Sequence, residues 1–197
     1  MIDRHAFFDR IRQPLFDGRL RQSQVDGLTA LLDGWERDHA GADRHWLAYA
    51  LATAHHETGR ELQPIREEGS DAYLTRLYDI GGERPALARR MGNIEPGDGV
   101  RYCGRGFVQL TWRNNYAAMS PIVCIDLVRF PERALEIGPA TEILFHGMIA
   151  GSFTGAKLGD YFDRVHADWK GARRIVNGSD HAALIAGYAR AYANALA

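Results

Sequence analysis

The chain has 197 residues and a mass of 22.0 kDa, with 46% hydrophobic and 25% charged residues. That make-up is ordinary for a globular protein and excludes a disordered or collagen-like chain, and no apolar run nears the roughly 18 residues of a spanning helix, so no stable membrane insertion is expected. Charge is balanced, 24 Lys+Arg against 25 Asp+Glu, which argues against nucleic acid as a partner.

The N-terminus, MIDRHAFFDRIRQP, is charged and amphipathic and lacks the apolar stretch of a secretory signal. Synthesis in the cytoplasm is therefore the expectation. Asp3–Arg12 places Phe7, Phe8 and Ile11 on one helical face. Ser23 stands as an N-cap before a second helix in which Val25, Leu28, Leu31, Leu32 and Trp35 recur at helical spacing. Glu36–Asp43 breaks the pattern. Asp43 then caps a strong apolar helix from Arg44 to about Glu57, ended by Gly59.

From Arg60 to Gly99, glycines and prolines interrupt the periodicity, leaving short helices around Ala72–Leu77 and Pro85–Met91 in long loops. Phe107–Thr111 is a β-prone run after Gly104-Arg105-Gly106. Later helices are expected at Asn114–Ser120, Pro139–Ala150, Gly155–Phe162, Lys170–Val176 and Asp180–Ala195, the last capped by Ser179 or Asp180. Residues 1–197 read as a single mainly α domain with a small β-hairpin or sheet. Residues 1–40 either join its core or form a small docking lobe. Cys103 and Cys124 are too few for a disulfide scaffold and are expected as free thiols.

Three segments carry groups that can do chemistry. In His55-His56-Glu57-Thr58-Gly59, a carboxyl group ends an apolar helix. Partial desolvation there would favour its protonated form and suit it to general-acid work. The same position also suits an exposed carboxylate beside two structural histidines. Glu67-Glu68 lies in the following loop, where a carboxylate facing a cleft would activate water and a solvated pair would do nothing. Two carboxylates in different environments are the equipment of a glycoside hydrolase. Residues 101–116 interleave Tyr102, Gln109, Thr111, Trp112, Asn115 and Tyr116, a mixture that suits a sugar's hydroxyl edge and C–H faces. A buried polar turn would use the same residues. The His-His-Glu run lacks His-Glu-x-x-His spacing, and neighbouring helical side chains diverge by about 100°, so no metal site is expected.

In order along the chain, His56-Glu57-Thr58-Gly59, Tyr102-Cys103-Gly104-Arg105-Gly106-Phe107-Val108-Gln109-Leu110-Thr111 with Asn115-Tyr116, and Ile175-Val176-Asn177-Gly178 resemble the motifs of glycoside hydrolase family 19. That family holds chitinases and phage or bacterial endolysins on a lysozyme-like, mainly helical fold. The resemblance spans roughly residues 45 to 190. It implies that Glu57 is the general acid and Glu67 the general base, with Glu68 the other candidate for the base or a substrate contact. It further implies that Thr111 holds the attacking water, that Gln109, Asn115 and Asn177 line the cleft, and that Tyr102 stacks on a sugar. The implied reaction inverts the anomeric centre and needs no metal or organic cofactor.

Arg60 stands where many relatives have glycine, and Cys103 replaces a common aromatic or basic residue. The chain is shorter than plant chitinases and lacks the cysteine framework of secreted ones. These departures favour the endolysin-like branch. The expected substrate is therefore peptidoglycan, with chitin as the alternative and a catalytically silent wall-binding protein as a further one. The expected enzyme is a monomer that reaches the cell wall after release or export by another protein.

Overall fold

Asp3 accepts the Ala6 N–H at 3.0 Å, and helix α1 follows over Arg4–Phe16. In this computed structural model, which describes residues 1–163 and 165–197, the chain forms two compact units. One comprises residues 1–63 and 144–197, the other residues 64–143.

In the first unit, α1 continues beyond the expected Arg12 and past Pro14, because Leu15 and Phe16 are buried and tertiary burial outweighs local propensity. Helix α2 spans Gln22–Asp38. Ser23 lies inside its first turn and is not the cap. The start is closed by the buried Gln24, whose side-chain oxygen accepts the Arg21 N–H at 2.9 Å. The helix also runs through Glu36, which accepts a 2.8 Å bond from Arg4. A Cβ on Gly27 would sit 1.7 Å from the Leu62 carbonyl, so only glycine allows this approach.

Helix α3, Arg44–Glu57, starts as expected at Asp43, which accepts the His45 N–H at 2.9 Å. Every residue from Leu47 to His55 is buried. A helix covered all round is the centre of its unit. The C-terminal helix, Ala182–Leu196, packs along it, and Phe7 of α1 stacks on Tyr192 at 6.2 Å. That last helix follows His181 in a left-handed turn (φ 53°), not a Ser179 or Asp180 cap. The helices expected at 155–162 and 170–176 are 3-10 turns at Leu158–Asp160 and Gly171–Ile175. Gly155 (φ 91°) and the Asp168 carboxylate, which accepts the Gly171 N–H at 2.8 Å, favour turns there.

The second unit is built around a two-stranded antiparallel pair, β1 (Ile65–Arg66) and β2 (Arg105–Gly106), with Ile65 opposite Gly106 and Arg66 opposite Arg105. The β-prone run 107–111 is mostly a turn, and Leu110 alone of it bridges back to Arg105. Positive φ at Gly106 (87°) and Gln109 (55°) folds it over. Short helices α4 (Asp71–Tyr78), α5 (Pro85–Arg90), α6 (Asp98–Arg101) and α7 (Arg113–Met119) surround the pair. The glycine-rich sequence gave no hint of α6. Its start is held by the buried Asp79 carboxylate, which accepts the Gly97 and Gly99 N–H groups. Leu74, Ala88, Phe107, Leu110, Tyr116 and Leu127 fill this core.

Helix α8 (Ile137–Ala150) crosses the division of the chain at Leu144. Pro139 falls in its first turn, where the missing N–H has no intrahelical acceptor to lose. The architecture is mainly α with one small antiparallel pair, as expected. Both cysteines are free, Cys103 buried and Cys124 exposed. Among the described residues, no helix is long and apolar enough to cross a membrane.

Candidate active site

In the second unit, Glu67 directly follows β1 and is held at three points. Its N–H donates to the Gly104 carbonyl at 2.8 Å. One carboxylate oxygen accepts the Tyr78 hydroxyl at 2.8 Å, and the other accepts the Gly104 N–H at 3.0 Å. Burial, and then the bond to Glu67, push the Tyr78 hydroxyl well above its ordinary pKa, so it stays a donor. A Cβ on Gly104 would lie 2.6 Å from the Gln109 side-chain oxygen and 3.1 Å from the Glu67 carboxylate, which is why the motif needs glycine there. Glu68, next in sequence, is exposed and makes no hydrogen bond or ion pair among the described residues.

The Gly-Arg-Gly-x-x-Gln-Leu-Thr block supplies the rest of this local site. The Gln109 amide donates to the Ile65 carbonyl at 3.2 Å, tying the turn to β1. Thr111 donates its hydroxyl proton to the Gln109 carbonyl at 2.8 Å, which leaves its lone pairs free to accept. The Asn115 amide donates to the Thr111 carbonyl at 2.7 Å. The arginine of the block, Arg105, is structural. It is buried and donates to the carbonyls of Arg101 and Cys103 and to the Tyr116 hydroxyl.

Tyr102 corrects the expectation of sugar stacking. Its ring is 2% exposed and packs against Tyr116, and its hydroxyl donates to the Val128 carbonyl at 3.0 Å. A ring so covered has no free face for a sugar. Trp112 is half-buried, with its ring perpendicular to that of Tyr78 at 5.0 Å.

In the first unit, Glu57 ends α3 with its side chain 18% exposed. It is not an isolated carboxyl group, because Arg173 bonds one of its oxygens at 2.6 Å. Arg173 is buried, and its Nε donates to the Asp180 carbonyl at 3.0 Å. Sequence reading missed Arg173, since nothing marks it among 22 arginines. Tyr78 was missed too, since nothing marks it among eight tyrosines.

Asn177 follows the turn that carries Arg173 and donates its N–H to the Arg173 carbonyl at 3.0 Å. It is exposed, with its side chain bonded to the Gly178 N–H. Thr58 serves the fold, donating to the Ala54 carbonyl and accepting the Leu62 N–H. His55 is fully buried, and burial brings its pKa down to about 4. His56 is half-buried and also lowered, chiefly by burial. Among the described residues, no group of three His, Cys, Asp or Glu side chains is placed to hold a metal ion.

Two residues beyond Glu57, the first unit opens a cavity of about 530 Å³ lined in part by Phe16, Asp17, Arg19, Arg21, Gly59 and Arg60. Arg60 pairs with Asp17 at 2.9 Å, and Arg21 with Glu61 at 2.8 Å. Arg19 is exposed and has no such pair among the described residues.

No family model and no curated protein matches the sequence. Solved structures do match its fold. Chitinase C from Streptomyces griseus HUT6037 is 18% identical with a TM-score of 0.62, covering 99% of this chain and 76% of that one. A chitinase C with a glutamate-to-glutamine substitution is 17% identical with a TM-score of 0.59, covering 98% and 74%. A bacterial family 19 chitinase is 21% identical with a TM-score of 0.56, covering 98% and 94%. The likeness is one of fold, and the lysozyme-like, mainly α architecture of the family 19 chitinases is the architecture of this chain.

Proposed function

We propose that this chain, with the fold of a family 19 chitinase, is a glycoside hydrolase acting on β-1,4-linked polymers of N-acetylated amino sugars. The observation that carries the reading is the seat of Glu67. Two donors fix both of its oxygens, and each oxygen keeps a lone pair for an incoming proton. In this reading Glu67 is the general base, and its built-in position supports it over the exposed Glu68.

Glu57 is the general acid. Arg173 occupies one of its oxygens, and the other is the one that picks up a proton and passes it to the glycosidic oxygen. The guanidinium then stabilises the carboxylate left behind. Glu67 takes a proton from a water that attacks the anomeric carbon on the opposite face while the glycosidic C–O bond breaks, inverting the centre. Thr111 accepts the water's second proton in a hydrogen bond and so aims its lone pair. Gln109, Asn115 and Asn177 contact the sugars.

Chitin is the substrate the comparisons favour, because the solved structures named above are chitinases. One observation favours a second reading, peptidoglycan. Arg19, the arginine without an ion pair among the described residues in the cavity at Gly59, suits a free carboxylate of a peptide stem, which uncharged chitin lacks. The test is to digest colloidal chitin and purified sacculi side by side and identify the products by mass spectrometry. New reducing ends on either polymer, lost in Glu57→Gln and in Glu67→Gln, are expected. New peptide termini would make the chain a peptidase, and binding without cleavage would make it a silent wall-binding protein.

A further inference from the structure

We infer that Tyr78 is a positioning residue for Glu67, holding the base in one orientation through its hydroxyl. The inference rests on the reading of Glu67 as the general base. Gly104 grips Glu67 on the strand side, through the backbone and one carboxylate oxygen. Tyr78 is the second anchor, at 2.8 Å on the other oxygen. Without it the carboxylate would swing about a single hydrogen bond.

The surroundings hold the phenol in place. The Tyr78 carbonyl accepts the Asn93 amide at 2.9 Å. Asn93 is fully buried, and its side-chain oxygen accepts the Arg113 N–H at 3.0 Å. Asp79, the next residue, is clamped by the Gly97 and Gly99 N–H groups. Trp112 sits at φ 77°, a strained conformation for a bulky residue, with its ring perpendicular to the Tyr78 ring at 88° and 5.0 Å. Strain of this kind persists where the surrounding structure over-determines it, often at functional sites. The Asn93 loop thus fixes the Tyr78 backbone and Trp112, at the start of α7, packs against its ring, whose hydroxyl ends on a carboxylate.

The test is Tyr78→Phe, which keeps the ring and removes the oxygen, assayed on the polymer cleaved in the paired digest. We expect kcat to fall about 10-fold and KM to stay within about twofold, the scale of one lost hydrogen bond to a charged group. In a Glu67→Gln background, Tyr78→Phe should cost nothing further. An unchanged kcat, a change confined to KM, or full additivity with Glu67→Gln would overturn the role of Tyr78 while leaving Glu67 as the base. Wild-type activity in Glu67→Gln would remove the base assignment and this inference with it.

Discussion

Replacing Glu57 with glutamine keeps the shape of the side chain and deletes its charge. The partner left behind is Arg173, whose side chain is 3% exposed and bonded to Glu57 at 2.6 Å. Removing one member of a buried ion pair costs about 3–5 kcal/mol, because the other charge is stranded away from water. Glu57 itself is 18% exposed, and the glutamine carbonyl can still accept from the guanidinium, so the cost falls below that range, to about 2–3 kcal/mol. For a chain of this length each kcal/mol moves the melting temperature by about 2–4 °C, which gives a fall of about 4–12 °C. Glu57→Gln should therefore be inactive and also measurably less stable. Its activity loss has to be read below its own melting range. Arg173→Met in the same chain removes the stranded charge, and the double variant should recover at least half of the lost stability. Thermal melts followed by circular dichroism at neutral pH check both values. A Glu57→Gln melt within about 1 °C of wild type would mean that the pair contributes little and that solvent reaches Arg173 freely.

Three further outcomes follow from individual side chains. The folded state keeps His55 neutral, since burial holds its pKa near 4 against an ordinary 6.5. Between these values the unfolded chain binds the proton and the folded chain does not. Stability is therefore complete above pH 6.5 and falls by up to about 3 kcal/mol as the pH drops to 4. Urea titrations across that window should show the slope, and His55→Gln should flatten it. Gly104→Ala drives a methyl group to within 2.6 Å of Gln109 and 3.1 Å of Glu67. It should cost about 1–3 kcal/mol of stability and lower kcat, and a variant with unchanged kinetics would show that the Glu67 seat tolerates displacement. Tyr102→Phe should lose about 1 kcal/mol, the worth of its bond to the Val128 carbonyl, with KM unchanged. A raised KM would show that the ring does reach the sugar.

Local patterning by itself determined much of this protein. The period of Trp46, Leu47, Ala50, Leu51 and Ala54, with Asp43 before it and Gly59 after it, marked α3 almost to the residue, because caps and apolar spacing are properties of neighbours in the chain. The ordered motifs around Glu57, Gly104–Thr111 and Asn177 pointed to the lysozyme-like architecture. Segments with weak local preference were decided by tertiary structure. Gln24 closes α2 in place of Ser23 because its buried side chain accepts the Arg21 N–H and donates to the Arg60 carbonyl, and burial is not encoded in a capping rule. The run 107–111 had β-prone residues, yet left-handed backbone at Gly106 and Gln109 made it a turn. Tyr102 and Gln109 stand in the same motif, but only packing could send one ring into the core and leave one amide bonded to the Ile65 carbonyl.

The partners of the two candidate carboxylates were also beyond the sequence. Tyr78 lies 11 residues from Glu67 and Arg173 lies 116 from Glu57. A hydrogen bond across such a span depends on where several elements meet, whereas a helix depends on spacings of three and four. The balanced total charge, informative at the outset about nucleic acid, said nothing of where single arginines fall. The fold buries Arg173 against Glu57 and leaves Arg19 at the mouth of a cavity, and that partition rests on burial and pairing, which composition does not contain.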